Sequence, residues 1–104
     1  MKLEYYPSEK LKKEILTIIA KYLRVENYRV FFFGSRVTGK NTERSDIDVG
    51  IEGSRAIPGH ILMEIQEDFS NLRTLYKIEI VDFAAVDKKF HAVVGNDREF
   101  ITAH

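Results

Sequence analysis

A small α/β domain, with helices packed on a short sheet, is the fold class that three observations predict. Leu11, Ile15, Ile18, Ile19, Tyr22 and Leu23 recur at helical spacing with lysines opposite, Val30-Phe31-Phe32-Phe33 is a short apolar run of β-formers, and Asp46 to Glu52 alternates strictly. At 104 residues and 44% apolar content, the chain suits one core, so residues 1–104 are expected to form a single domain.

The elements follow in order. Pro7-Ser8 opens the first helix, with Ser8 expected as its N-cap. Asn27 breaks the pattern, and the run Val30 to Phe33 that follows should be a central strand, buried on both faces, that stops at Gly34. From Arg36 to Arg44 the chain is polar and carries Gly39, Asn41 and Thr42, which predicts a loop with one helical turn at its start. In the next strand Ile47, Val49 and Ile51 share one side, while Asp46, Asp48 and Gly50 share the other. A second amphipathic helix carries Leu62, Ile65, Phe69 and Leu72 on one stripe, and Lys77 to Phe83 forms a third strand with Asp82 near its end. Asp87 to Ile101 reads as a weaker helix interrupted at Gly95-Asn96.

Composition excludes several functions. Without cysteine there is no disulfide, thiolate metal site or cysteine nucleophile, which fits a cytoplasmic location. Sixteen basic and sixteen acidic residues cancel, so nucleic acid is not expected as the primary partner. No apolar run approaches the roughly 20 residues needed to span a bilayer, and the first residues do not read as a signal peptide.

The chemistry concentrates in the middle of the chain. Two aspartates at i and i+2 of a strand lie about 6.5 Å apart and point the same way, so Asp46 and Asp48 can converge on hard divalent cations such as Mg²⁺. The Gly34-Ser35 turn follows a strand and can offer backbone N–H groups and a hydroxyl to phosphates. Asp82, near the end of another strand, is the candidate third carboxylate, for metal binding and for accepting a proton from an attacking hydroxyl. Arg36, Lys40 and Arg44 are candidates to neutralise phosphate. His60, His91 and His104 lack metal-ligand spacing, and the run Phe31 to Phe33 belongs to the core.

At Gly34-Ser35-Arg36, Ser45-Asp46-Ile47-Asp48 and Ile80-Val81-Asp82-Phe83, the chain resembles the DNA polymerase β-like nucleotidyltransferases, and its length resembles that of the minimal nucleotidyltransferases, or MNT proteins. The resemblance implies a mixed-sheet palm of α+β type that moves a nucleoside monophosphate from a triphosphate such as ATP to a hydroxyl, with two Mg²⁺ ions. It implies that Asp46, Asp48 and Asp82 bind metal and act in catalysis, and that Gly34, Ser35 and Arg36 hold the nucleotide. Many minimal members carry an arginine where Thr38 precedes Gly39 here, and Arg36 is the expected substitute. Larger relatives add a second domain that selects the acceptor.

By the same analogy the expected partner is a helical HEPN protein, with AMP placed on a tyrosine of that toxin, as in a type VII-like toxin–antitoxin system. The alternative is a non-catalytic subunit that masks a HEPN partner by contact. A homo-oligomer through an outer helix face, the nucleotide base and the acceptor are left open by the sequence.

Overall fold

The computed structural model describes residues 1–40 and 45–103. Arg44 and His104, both weighed from the sequence, lie outside the described residues. The chain runs α1 (Ser8–Ala20), a single 3-10 turn (Val25–Asn27), β1 (Arg29–Phe33), α2 (Ser35–Thr38), β2 (Ile47–Glu52), α3 (Gly59–Ser70), β3 (Ile78–Asp82), α4 (Lys88–Val94) and β4 (Glu99–Phe100).

Pairing places these strands in one sheet of order β3-β2-β1-β4. β1 pairs antiparallel with β2 and β4. β2 and β3 run parallel, and α3 supplies the crossover connection that a parallel pair needs. The sheet is therefore mixed, and β1, apolar from Val30 to Phe33, takes an interior position. Alternation divides its side chains between two faces: Val30 and Phe32 join one buried cluster, while Phe31 and Phe33 join another.

The first face is covered by helices. Leu11, Ile15 and Ile19 of α1 and Ile65 and Phe69 of α3 close over Val30, Phe32, Ile47, Val49, Ile51 and Ile78, one continuous apolar core. The two helices are tied at their ends, where Tyr22 Oη donates to Asp68 Oδ2 at 2.6 Å and Lys21 Nζ lies 2.7 Å from the same oxygen. Gln66 of α3 reaches the outer edge of β3: its Nε2 donates to the Ile78 carbonyl at 2.8 Å and its Oε1 accepts from the Ile80 amide at 2.9 Å. One side chain thus satisfies two backbone groups that an edge strand would otherwise present for pairing.

The second face is only partly covered. Phe31, Phe33 and Phe83 meet edge to face, with centroids 4.8 and 5.0 Å apart for the pairs that include Phe83, and Phe90 of α4 packs on Phe33 and Phe83. Gly50 permits this arrangement, because a Cβ there would stand 2.3 Å from the Phe31 ring. The guanidinium of Arg98 lies over Phe31 and Phe83 at 4.6 and 5.0 Å, and Asp48 shares this face.

Two local expectations are corrected. Ser8 is the first helical residue rather than the cap: Pro7 stands at the cap position, extended, and its carbonyl accepts from Leu11 N at 3.1 Å. The segment Asp87 to Ile101 is not one interrupted helix. Asp87 caps α4 through Phe90 N at 2.9 Å, the helix ends at Gly95 with φ +56°, and Glu99–Phe100 then pairs with the outer edge of β1. Among the described residues no helix is long and apolar enough to cross a membrane.

Candidate active site

The site grows from the junction of β1 and β2. The antiparallel register sets Phe33 opposite Asp48, so the chain leaving β1 passes beside the Asp48 carboxylate. Gly34 makes that passage with φ +83°, and a Cβ there would come within 2.3 Å of Asp48 Oδ2. Both the backbone angle and the approach exclude other residues. Ser35 then begins α2, and Gly39 ends it in the left-handed region with φ +81°. Gly34-Ser35 is thus a tight turn laid directly against a carboxylate.

Asp46 precedes β2, and Asp48 is its second residue. The parallel register pairs Ile47 with Ile78 and Asp48 with Glu79, and in paired parallel strands such partners project to the same face. Glu79, not Asp82, therefore stands next to Asp48. Burial pushes the Asp48 carboxyl above the ordinary carboxylate value, and the charges of Glu79 and then Asp46 push it further in the same direction. Lys77 opposes part of this field: its Nζ lies 3.0 Å from Glu79 Oε1. That contact first, and the fields of Glu79 and Asp46 after it, raise the lysine above its usual range.

The structure does not bring Asp82, expected as the third carboxylate, into this group. It pairs with Ile51 in the register, three positions beyond Glu79, and so belongs to the helix-covered face. It is 4% exposed, and its oxygens are engaged: Oδ2 accepts from Ile57 N at 2.7 Å and Oδ1 from Ala84 N at 3.0 Å. This aspartate fastens the β2–α3 connection to the end of β3. The sequence carried the signal that separates the two acids, because the period of two in Ile78-Glu79-Ile80-Val81-Asp82 puts Glu79 and Asp82 on opposite faces.

Arg36 is likewise not presented to solvent. It is 7% exposed, its Nε donates to the Ser45 carbonyl at 3.0 Å, and its guanidinium lies 4.7 Å from the Tyr76 ring centroid. It braces Ser45, the residue before Asp46. Lys40 is exposed just after the turn. His91 Nε2 lies 2.7 Å from the Phe83 carbonyl, with its ring edge to face against Phe83.

Asp46, Asp48 and Glu79 line one face without closing into a cage: among the described residues no three His, Asp or Glu side chains converge as a ready-made metal site. The donor set nevertheless suits a hard cation. It is all carboxylate oxygen, and the acidic neighbours of Asp48 make its ionised form costly until positive charge is supplied. Among the described residues no cation is paired directly with Asp48. The arrangement can thus gather positive charge at Asp48, a few ångströms from a turn whose shape suits phosphate.

Known proteins are similar to this chain in sequence or fold. A Haemophilus influenzae protein, Probable protein adenylyltransferase MntA, is 29% identical over 86 residues, which cover 81% of this chain and 75% of that protein. The crystal structure of a toxin–antitoxin with AMP-PNP contains a chain that superposes with a TM-score of 0.72 at 14% identity, over 89% of this chain and 73% of that one. A chain of the tri-AMPylated Shewanella oneidensis HEPN toxin in complex with MNT antitoxin gives 0.66 at 15% identity, over 92% and 73%. The model of the family described as polymerase beta, nucleotidyltransferase, matches residues 13–103, a span that holds the Gly34 turn and every carboxylate discussed above. The chain belongs to the polymerase beta nucleotidyltransferase family.

Proposed function

We propose that this chain is a Mg²⁺-dependent adenylyltransferase that moves AMP from ATP to a hydroxyl, a tyrosine of a HEPN toxin, and so acts as the antitoxin of a pair. The observation that carries the reading is the contact of Gly34 with Asp48, which joins a phosphate turn to a carboxylate in need of positive charge. The protein adenylyltransferase name of the Haemophilus relative and the AMPylated HEPN toxin beside an MNT antitoxin support the choice of nucleotide and partner.

Asp46 and Asp48 would hold the metal, with Glu79 in the place first given to Asp82. The lack of a closed cage agrees with Mg²⁺, which typically takes one or two protein carboxylates and completes its shell with water and substrate phosphates. When bound, the metal neutralises phosphate charge and orients the leaving pyrophosphate. Gly34 keeps side-chain bulk away from the triphosphate, and Ser35 receives it. Arg36 fixes the Ser45 carbonyl and through it the approach to Asp46. Asp48 or Glu79 can accept the proton that the attacking hydroxyl loses.

Intact-mass analysis of a HEPN partner incubated with this chain, ATP and Mg²⁺ tests the reading. The expected result is addition of AMP units by the wild type and at least a ~100-fold slower addition by Asp48→Asn, more than the 10–100-fold typical for groups that only support a metal ligand. Tight binding of the partner by the wild type without any AMP transfer would instead make the chain a masking subunit.

A further inference from the structure

Among the described residues, Lys77 is the one cation paired with any of the carboxylates Asp46, Asp48 and Glu79: its Nζ lies 3.0 Å from Glu79 Oε1. We infer that Lys77 is a tethered counter-cation, which holds Glu79 in the metal-free chain, is displaced when a divalent cation binds, and so sets how tightly the carboxylates take metal. The inference rests on the metal-dependent reading proposed above and adds to it the residue that tunes metal affinity.

The backbone of Lys77 is fixed while its side chain is not. Its carbonyl accepts from Ile47 N at 2.8 Å, a bond made between Asp46 and Asp48 in sequence. That bond continues the parallel ladder in which Asp48 pairs with Glu79. One step back along the ladder Lys77 stands beside Asp46, and the strand period of two turns its side chain to the face of Glu79. The ammonium is therefore anchored among the carboxylates on a flexible four-carbon stem.

Exposure decides how firmly Lys77 holds. The two side chains of the pair are 69% and 42% exposed, so water screens their attraction and the contact is weak. A divalent cation carries twice the charge of an ammonium and gathers oxygens from several groups at once, so it prevails at Glu79. Lys77 still matters to the balance. Without metal, the charges of Asp46, Asp48 and Glu79 repel one another, and the ammonium offsets part of that repulsion. Whatever stabilises the metal-free state lowers the affinity for metal by the same amount.

Binding of Mn²⁺, the paramagnetic stand-in for Mg²⁺, tests this, with free Mn²⁺ read by electron paramagnetic resonance. The proteins compared are the wild type, Lys77→Met, Glu79→Gln, the double variant of both, and the charge-preserving Lys77→Arg. Melting curves without metal show that each is folded. The expected result is Mn²⁺ bound about two- to fivefold more tightly by Lys77→Met than by the wild type, the range of an exposed ion pair. Lys77→Arg should match the wild type, and Lys77→Met should add nothing once Glu79 is replaced. The cycle separates the contact with Glu79 from the general field of the lysine, which would act alike in both backgrounds. Mn²⁺ bound no more tightly by Lys77→Met than by the wild type, or a gain of equal size in both backgrounds, overturns the role of Lys77 and leaves the metal-dependent reading standing. Mn²⁺ bound by none of the proteins overturns both.

Discussion

The two faces of the sheet draw on the same strands, residue by alternate residue, yet one is sealed by helices and the other is left partly open. Ile47, Val49 and Ile51 of β2 are fully buried under α1 and α3, while Asp48, between them in sequence, faces acidic neighbours on the open side. A strand only six residues long thus supplies core and candidate chemistry together. The helix-covered side holds the backbone still, and this fixes the distance between the Gly34 turn and Asp48 on the other side.

The contrast predicts opposite responses to substitution. Phe32→Ala empties a fully buried site on the covered face and should cost about 3–5 kcal/mol, seen as a large fall in the urea midpoint. Asp48→Asn, one β-ladder away, should instead leave the metal-free protein as stable or more so at neutral pH, since the wild-type carboxyl is already pushed toward its neutral form. Mg²⁺ should raise the Tm of the wild type and not that of this variant. A destabilised Asp48→Asn would break the comparison.

The acids of β3 sharpen it. Glu79→Gln should slow transfer by about 10–100-fold with little change in Tm, because its partner Lys77 is largely exposed. Asp82→Ala should do the reverse, costing about 1–3 kcal/mol through the amides it leaves unpaired while transfer per folded molecule is kept. Paired thermal melts and transfer assays decide this; an active Glu79→Gln and an inactive, stable Asp82→Ala would restore Asp82 to the site.

These two acids also mark where the sequence could be read and where it could not. The order of α1, β1, the turn, β2, α3 and β3 is legible because each is set by its own periodicity or by a glycine. Asp82 matches the motif locally as an aspartate near a strand end, whereas its distance from Asp48 follows from the register of β3 against β2, a relation between segments about 30 residues apart. β4 is two residues long, too short for an alternating pattern, and forms where the outer edge of β1 needs partners. The burial of Arg36 depends on Tyr76, far along the chain. Local signals cannot carry such pairings.

The smallest expected effect belongs to the covered side, where Tyr22 and Lys21 join α1 to α3 through Asp68. The hydrogen bond to Asp68, then burial, then the charge of Asp68 push the Tyr22 hydroxyl up to about 12 from an ordinary value of 10.0. A hydroxyl that ionises less readily in the folded chain than in the unfolded one contributes stability that is complete below pH 10.0. That contribution fades as the pH rises through about 12, where the folded chain also loses the proton. Tyr22→Phe should therefore be slightly less stable than the wild type at neutral pH, and the difference should shrink across the alkaline window. Asp68 responds at the other end of the scale: Lys21 and then Tyr22 hold its carboxyl below 3.8, so its share is present above that value and is lost as the pH falls through its lower folded value. Urea titrations of the wild type and Tyr22→Phe at neutral and alkaline pH read the difference. A gap that does not change with pH would mean that the hydroxyl adds nothing to packing between the helices, while transfer activity, assigned to the open face, should not distinguish the two proteins at neutral pH.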